Sequence, residues 1–387
     1  MKKLLFLSSC IAGAAISLSA LGTSAITAKA DEALAVKCKS AYLCDYDSGT
    51  VVYSMNETER LPIASMCKIM TLLLSFEAAD EGKIAYDEQV PVSENASSMG
   101  GSQVFLQTGL TYSAEQLMKS VAVCSANDSC VALAERIAGS ESAFVDRMNA
   151  RAKELGAENT LFANCTGLPK EPQYSCAKDV ATMLREMLTH KKYYEFSKVW
   201  LEDFAHPDGR TTSMTNTNKL IRFYEGCDGG KTGFTNQAGF CLAATAKRGD
   251  TRLVSVVIGS DSSAQRFADT KAMFNHAFAN YESKRIFTAG EQIGQQVRVR
   301  GSKVTELPVY AERTVSVFGE KGNQADVSVQ ISLPDELKAP VTAGQNVGEA
   351  VVYRGGVEVA RTALLTVSGA ERQSWWDALK EGARNWN

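Results

Sequence analysis

The hydrophobic period of the chain changes along its length, and that change limits the folds open to it. Between about residues 113 and 190, apolar side chains recur every three to four positions through SAEQLMKSVAVCSANDSCVALAERIAG, SAFVDRMNARAKELG and CAKDVATMLREMLTH. That spacing predicts helices with one buried stripe each. Beyond about 286 the segments QVRVRG, RTVSVFG, ADVSVQISL and EAVVYRGGVEVARTALLTV alternate at period two, the last turning at Gly355-Gly356. These read as short strands of a separate β domain. Upstream, AYLCDYDSGTVVYSM and GFCLAATAKRGDTRLVSVVIG read as hairpins around Asp47-Ser48-Gly49 and Arg248-Gly249-Asp250, with a helix near 264 to 281 after the second. Strands at both ends with helices between them predict one mixed α/β unit over 31–285 and a small all-β domain over 286–367.

The two termini differ from both. Residues 1–30 begin with Lys2 and Lys3, run uncharged through LLFLSSCIAGAAISLSALG and close on Ala28-Lys29-Ala30. This is the pattern of a secretory signal peptide. An uncleaved anchor is the alternative, and Leu7-Ser8-Ser9-Cys10 resembles a lipoprotein box but comes too early. At the other end, over 368–387, Ser368 and Glu371 form a capping-box pattern, and Trp375, Trp376, Leu379, Ala383 and Trp386 fall on one stripe. An amphipathic helix lying on a membrane surface is predicted, with docking on the β domain as the alternative.

Loss of residues 1–30 takes away three lysines and no acid, moving the formal charge from −3 to −6. A basic nucleic-acid footprint is therefore lacking, and no nucleic-acid partner is expected. Nine cysteines remain after Cys10, an odd and scattered set without a C-x-x-C pair. Neither a disulfide framework nor a metal site is signalled, and mostly reduced thiols packed as small hydrophobes are expected.

Chemistry is suggested by Ala64-Ser65-Met66-Cys67-Lys68, which follows Leu61-Pro62. In a helix, Ser65 and Lys68 share a face at i and i+3, as either a nucleophile with its base or a cap with a solvated lysine. Alone the pattern is weak, because Ser175-Cys176-Ala177-Lys178 repeats it. Order adds the information: Ser65-Lys68 is followed by Ser125-x-Asn127 between two helical runs, then by Lys231-Thr232-Gly233 opening a strand. His190, His206 and His276 lie outside these motifs, which argues against a Ser-His-Asp triad. Lys68 can serve as base if it is partly neutral, a state favoured by burial and by a second cation, Lys231. A phosphate-loop reading of GCDGGKT fails, because Glu225 stands where glycine is required.

The ordered trio resembles that of the low-molecular-weight penicillin-binding proteins that act as serine-type D-alanyl-D-alanine carboxypeptidases. The likeness extends through PIASMCKIMT, VSENASSMGGSQVFL, YSCAKDVATML, DGGKTGFTNQAGFCLAATAKRGDTRLVSVVIG and GQNVGEAVVY, from about residue 36 to 370. It implies an α/β, serine β-lactamase/DD-peptidase-like catalytic domain: an antiparallel sheet flanked by helices, with an all-helical subdomain. A small all-β domain and a C-terminal amphipathic helix would follow. It implies Ser65 as nucleophile, Lys68 as base, Ser125 as proton carrier to the leaving amine, and Asn127 and Lys231 as partners. Thr232, Gly233, Phe234 and Arg266 would bind substrate. The Ser65 and Phe234 amides would form the oxyanion hole, and Thr232 and Arg266 would hold the terminal carboxylate. No cofactor or metal is implied. The expected partners are the peptidoglycan stem peptide, β-lactams as covalent inhibitors, and the membrane through the tail. The expected location is the outer face of the bacterial cytoplasmic membrane. Cys67 and Cys124 depart from the family pattern, and Phe234 stands where polar residues are often found. A serine β-lactamase is disfavoured, since Glu158-Asn159-Thr160-Leu161 misses the glutamate motif that positions the deacylating water in class A enzymes.

Overall fold

The computed structural model describes residues 34–323 and 326–376. The expected signal peptide, and the tail beyond residue 376, lie outside them. The central sheet is fully antiparallel, in the order Val51–Met55, Ser40–Asp45, Thr251–Ser260, Gly239–Arg248, Cys227–Thr235. Its inner strands are buried on both faces, so runs such as CLAATA replace alternation. Ala243 and Val256 face one core, while Leu242 and Val257 face the other with Phe274 of the helix Ser263–Asn280. The helix Lys68–Asp80 belongs to the first core, with helices Ala114–Cys124, Asn127–Ala138, Glu141–Glu154 and Ala177–Met187 around it. The mixed α/β layout and both predicted hairpins are present. Lys231-Thr232-Gly233 lies in the middle of its strand, which already begins at Cys227, because Gly229 and Gly230 also pair with the neighbouring strand.

Strand Tyr281–Phe287 pairs with Val315–Glu320, and a six-stranded sheet accounts for the other C-terminal strands. This β region is fixed to the catalytic sheet at one end: the Ser283 amide donates to Thr251 Oγ1 at 2.8 Å, and Ser283 Oγ donates to Asp45 Oδ1 at 3.2 Å. Thr251 pairs with Arg248, seven residues along that strand from Cys241, the partner of Gly233, or roughly 24 Å at strand rise. The β region therefore supports the sheet without entering the cleft.

The predicted helix start at Ser368 requires correction. Ala370 forms an antiparallel bridge with Val341, and helical geometry begins only at Trp375. Backbone pairing with the β domain outcompetes the local capping pattern. Trp375 and Trp376 stack at 3.9 Å and are both exposed. No helix of the described residues is long and apolar enough to cross a membrane.

Candidate active site

Ser65 sits in a single 3-10 turn, Ala64–Cys67, that leads directly into the helix beginning at Lys68. The turn is fixed by two tight contacts. Ala64 adopts φ +46, and a Cβ added to Gly167 would lie 2.0 Å from the Ala64 carbonyl oxygen, so only glycine fits there. Across the cleft, a Cβ on Gly233 would stand 2.7 Å from the Ile63 carbonyl oxygen and 3.2 Å from the Ser65 amide nitrogen. The strand carrying Gly233 is an edge strand of the central sheet, and it thus runs against the nucleophile turn.

Lys68 Nζ donates to Ser65 Oγ at 3.0 Å and to the Thr166 carbonyl. The lysine is fully buried while Ser65 remains partly open to the cleft. Burial pushes the Lys68 amine below the ordinary lysine range. The thiols of Cys130, Cys67, Cys165 and Cys124 surround it, and as thiolates they would oppose that shift. Burial holds them protonated, Cys130 up to about 12 and Cys124 up to about 11, so they supply no charge. Lys231, also buried, is held well below its ordinary value by desolvation and then by repulsion from Lys68. Its Nζ donates to the Thr232 carbonyl at 3.0 Å.

Ser125 caps the helix Ala114–Cys124 in the left-handed region, φ +67. Asn127 opens the next helix; its Nδ2 donates to the Gly100 carbonyl at 2.6 Å and its amide to the Ser102 carbonyl at 2.7 Å. Ser125 Oγ and Asn127 Oδ1 are buried polar atoms with no protein partner. Such atoms are rare in protein interiors. Thr232 Oγ1 donates to Thr217 Oγ1 at 2.8 Å. Phe234 is half exposed and stacks on Phe240 at 4.3 Å. Arg266 is buried; its Nη1 donates to the Gly233 and Cys241 carbonyls at 3.0 and 3.2 Å.

Lys68 thus meets Ser65 and repels Lys231, Gly233 stands against the Ser65 turn with Arg266 on its carbonyl, and Thr217 ties Thr232 to the end of the helix that Ser125 caps, just before Asn127. Three further contributors had no motif to announce them. Thr166 acts through a backbone carbonyl, Thr217 through a hydroxyl in the TNTN segment, and Tyr193 OH accepts from the Gly230 amide at 2.8 Å to fix the Lys231 strand. Glu158 is exposed to solvent, in keeping with the broken lactamase motif.

Residues 26–262 match the sequence model of the D-alanyl-D-alanine carboxypeptidases, and residues 281–372 match the C-terminal domain of penicillin-binding protein 5. The chain belongs to the D-alanyl-D-alanine carboxypeptidase family. It is accordingly a hydrolase of the serine type. It is 38% identical to the D-alanyl-D-alanine carboxypeptidase DacF of Bacillus subtilis, over 91% of each chain. Among solved structures it resembles penicillin-binding protein 5 of Haemophilus influenzae at 30% identity and TM-score 0.68, covering 87% of this chain and 98% of that one. It also resembles penicillin-binding protein D2 of Listeria monocytogenes in its ampicillin-bound form, at 29% identity and TM-score 0.57, covering 63% of this chain and 99% of that one.

Proposed function

We propose that this family member removes the terminal D-alanine from peptidoglycan stem peptides by acyl transfer through Ser65, and that β-lactams trap the same serine. The observation that carries the reading is the Lys68 Nζ to Ser65 Oγ contact of 3.0 Å in a pocket where burial favours the neutral amine. Neutral Lys68 takes the Ser65 proton as Oγ attacks the carbonyl of the penultimate D-alanine. The amides of Ser65 and Phe234 receive the developing oxyanion. The C–N bond then breaks as Ser125 gives its proton to the leaving amine of D-alanine and takes the proton held by Lys68, which returns to the neutral form. Water finally attacks the ester, with Lys68 again as base, and frees the shortened peptide.

Asn127 and Lys231 hold Lys68, Ser125 and the peptide in register. The extended peptide adds to the open edge of the Cys227–Thr235 strand, where Gly233 lets two backbones approach. Thr232, with Arg266 as the charge behind it, faces the terminal carboxylate. The chain is read as exported by residues 1–30 and held at the outer face of the cytoplasmic membrane. The exposed Trp375–Trp376 pair supports a tail that meets the membrane surface through its aromatic face.

The test is D-alanine release from a peptide ending Lys-D-Ala-D-Ala, together with mapping of a fluorescent penicillin adduct. Release by the wild-type protein, loss in Ser65→Ala and an adduct on the Ser65 peptide are expected. An adduct mapping elsewhere, or Ser65→Ala retaining release, would overturn the assignment.

A further inference from the structure

Thr217 belongs to none of the motifs, yet it bridges the two walls of the cleft. Its amide donates to the Val123 carbonyl at 3.1 Å, two residues before Ser125, and its hydroxyl accepts from Thr232 Oγ1 at 2.8 Å. Both neighbours are buried and lock it in place. Asn216 Nδ2 donates to the Ser197 and Val199 carbonyls at 2.9 and 2.8 Å, and Asn218 Nδ2 donates to the Gly229 carbonyl at 3.3 Å. Thr217 itself stays partly exposed between them.

A hydroxyl carries one hydrogen and two lone pairs. Thr217 receives the Thr232 hydrogen, so its own hydrogen remains for another acceptor. Of the Arg266 fork, Nη1 donates to the Gly233 and Cys241 carbonyls and Nη2 to Ser263 Oγ at 3.3 Å, while Nε is buried with no protein partner. Nη1 is thus spent on strand carbonyls, and the Thr217 hydroxyl stands beside that of Thr232 as a further donor to an anion in the cleft. We propose that Thr217 is a substrate-binding residue whose hydroxyl, paired with that of Thr232, cradles the C-terminal carboxylate of the D-Ala-D-Ala end. The assignment rests on the carboxypeptidase reading given above and adds a selectivity determinant to it. A hydrogen bond from a neutral donor to a carboxylate is worth about 10- to 100-fold in binding.

The test compares two peptides, one ending in the free acid Lys-D-Ala-D-Ala and the other in its C-terminal carboxamide. Thr217→Val keeps the shape and removes the hydroxyl; Thr217→Ser restores it. For T217V, kcat/KM on the acid is expected to fall roughly 10- to 100-fold while the carboxamide changes less than about 3-fold. T217S is expected to recover the acid preference. Equal losses on both peptides, or no loss on either, overturn the assignment, since a mere strut cannot distinguish acid from amide. Thermal melting checks folding, and if T217V does not fold, Thr217→Ala supplies the same comparison. A wild-type protein that releases no D-alanine sinks the carboxypeptidase reading and this one together. Release by the wild type with an unaltered T217V sinks the Thr217 assignment alone.

Discussion

The chain carries the same four-residue pattern twice, and the two copies meet: Leu61, four residues before Ser65, pairs backbone to backbone with Ser175. Around Ser65 the pattern lies on a 3-10 turn that runs into a helix, so Lys68 reaches back to the serine and is sealed from water. Around Ser175 the serine sits in a bridge, its hydroxyl is paired with Thr160 Oγ1 at 2.7 Å, and Lys178 points to solvent. One copy has an amine without water and a hydroxyl facing a cleft. The other has a satisfied hydroxyl and a hydrated amine. Reactivity therefore comes from what surrounds the two side chains, since their types and spacing are identical.

The widest separation between the copies is expected in catalysis. Ser65→Ala should reduce D-alanine release on the order of 10⁴-fold or more, as loss of a covalent nucleophile does. Ser175→Ala should stay within about twofold of wild type, because its hydroxyl faces a neighbour and no substrate. Comparable losses in the two variants would erase the distinction.

The lysines should separate next. Lys68→Met is expected to lower penicillin acylation about 10²- to 10⁴-fold, the usual range for a general base, with Lys178→Met unchanged. In the wild type, acylation should rise with pH as Lys68 loses its proton and should level off below the ordinary lysine range. The sign for stability is opposite in origin. Lys68 holds its proton less tightly folded than unfolded, so stability declines as pH falls from the ordinary lysine value to the lowered one. The penalty is complete only once the pH lies below the lowered value. Lys68→Met should therefore melt no lower than wild type despite its lost activity. An acylation profile with no group titrating below about pH 9 would contradict the buried-amine account.

This contrast also explains what could be read in the sequence. The helical and strand periods, both hairpins and the order of the trio are local or semi-local patterns, so they were visible as residue types at spacings. Thr166 was invisible because its part is played by a carbonyl oxygen that every residue has. Thr217 and Tyr193 were invisible because their partners, Thr232 and Gly230, are 15 and 37 residues away. Ser368 misled for the converse reason, since a good local cap lost to the pairing of Ala370 with Val341.

A smaller effect is expected from crowding the turn itself. Gly233→Ala would place a methyl group 2.7 Å from the Ile63 carbonyl oxygen, a backbone atom that cannot swing aside. The strand or the Ser65 turn must shift, and a displacement of that kind typically costs roughly 10²-fold in rate. Acylation should fall while the fold persists.

The least effect should be thermodynamic and confined to the second copy. Removing the Ser175 hydroxyl breaks its bond to Thr160 Oγ1, but Thr160 keeps its bond to Asp179 Oδ2 at 2.8 Å and is not stranded. Loss of one neutral hydrogen bond without an orphaned partner costs about 1 kcal/mol. Ser175→Ala should therefore melt only a few degrees lower than wild type, with penicillin labelling intact, by calorimetry and gel fluorescence on the same sample. A drop large enough to unfold the protein at room temperature would mean that the bridge at Leu61 depends on this hydroxyl. The nucleophile turn would then be held up by its own decoy, and the two copies could no longer be treated as independent.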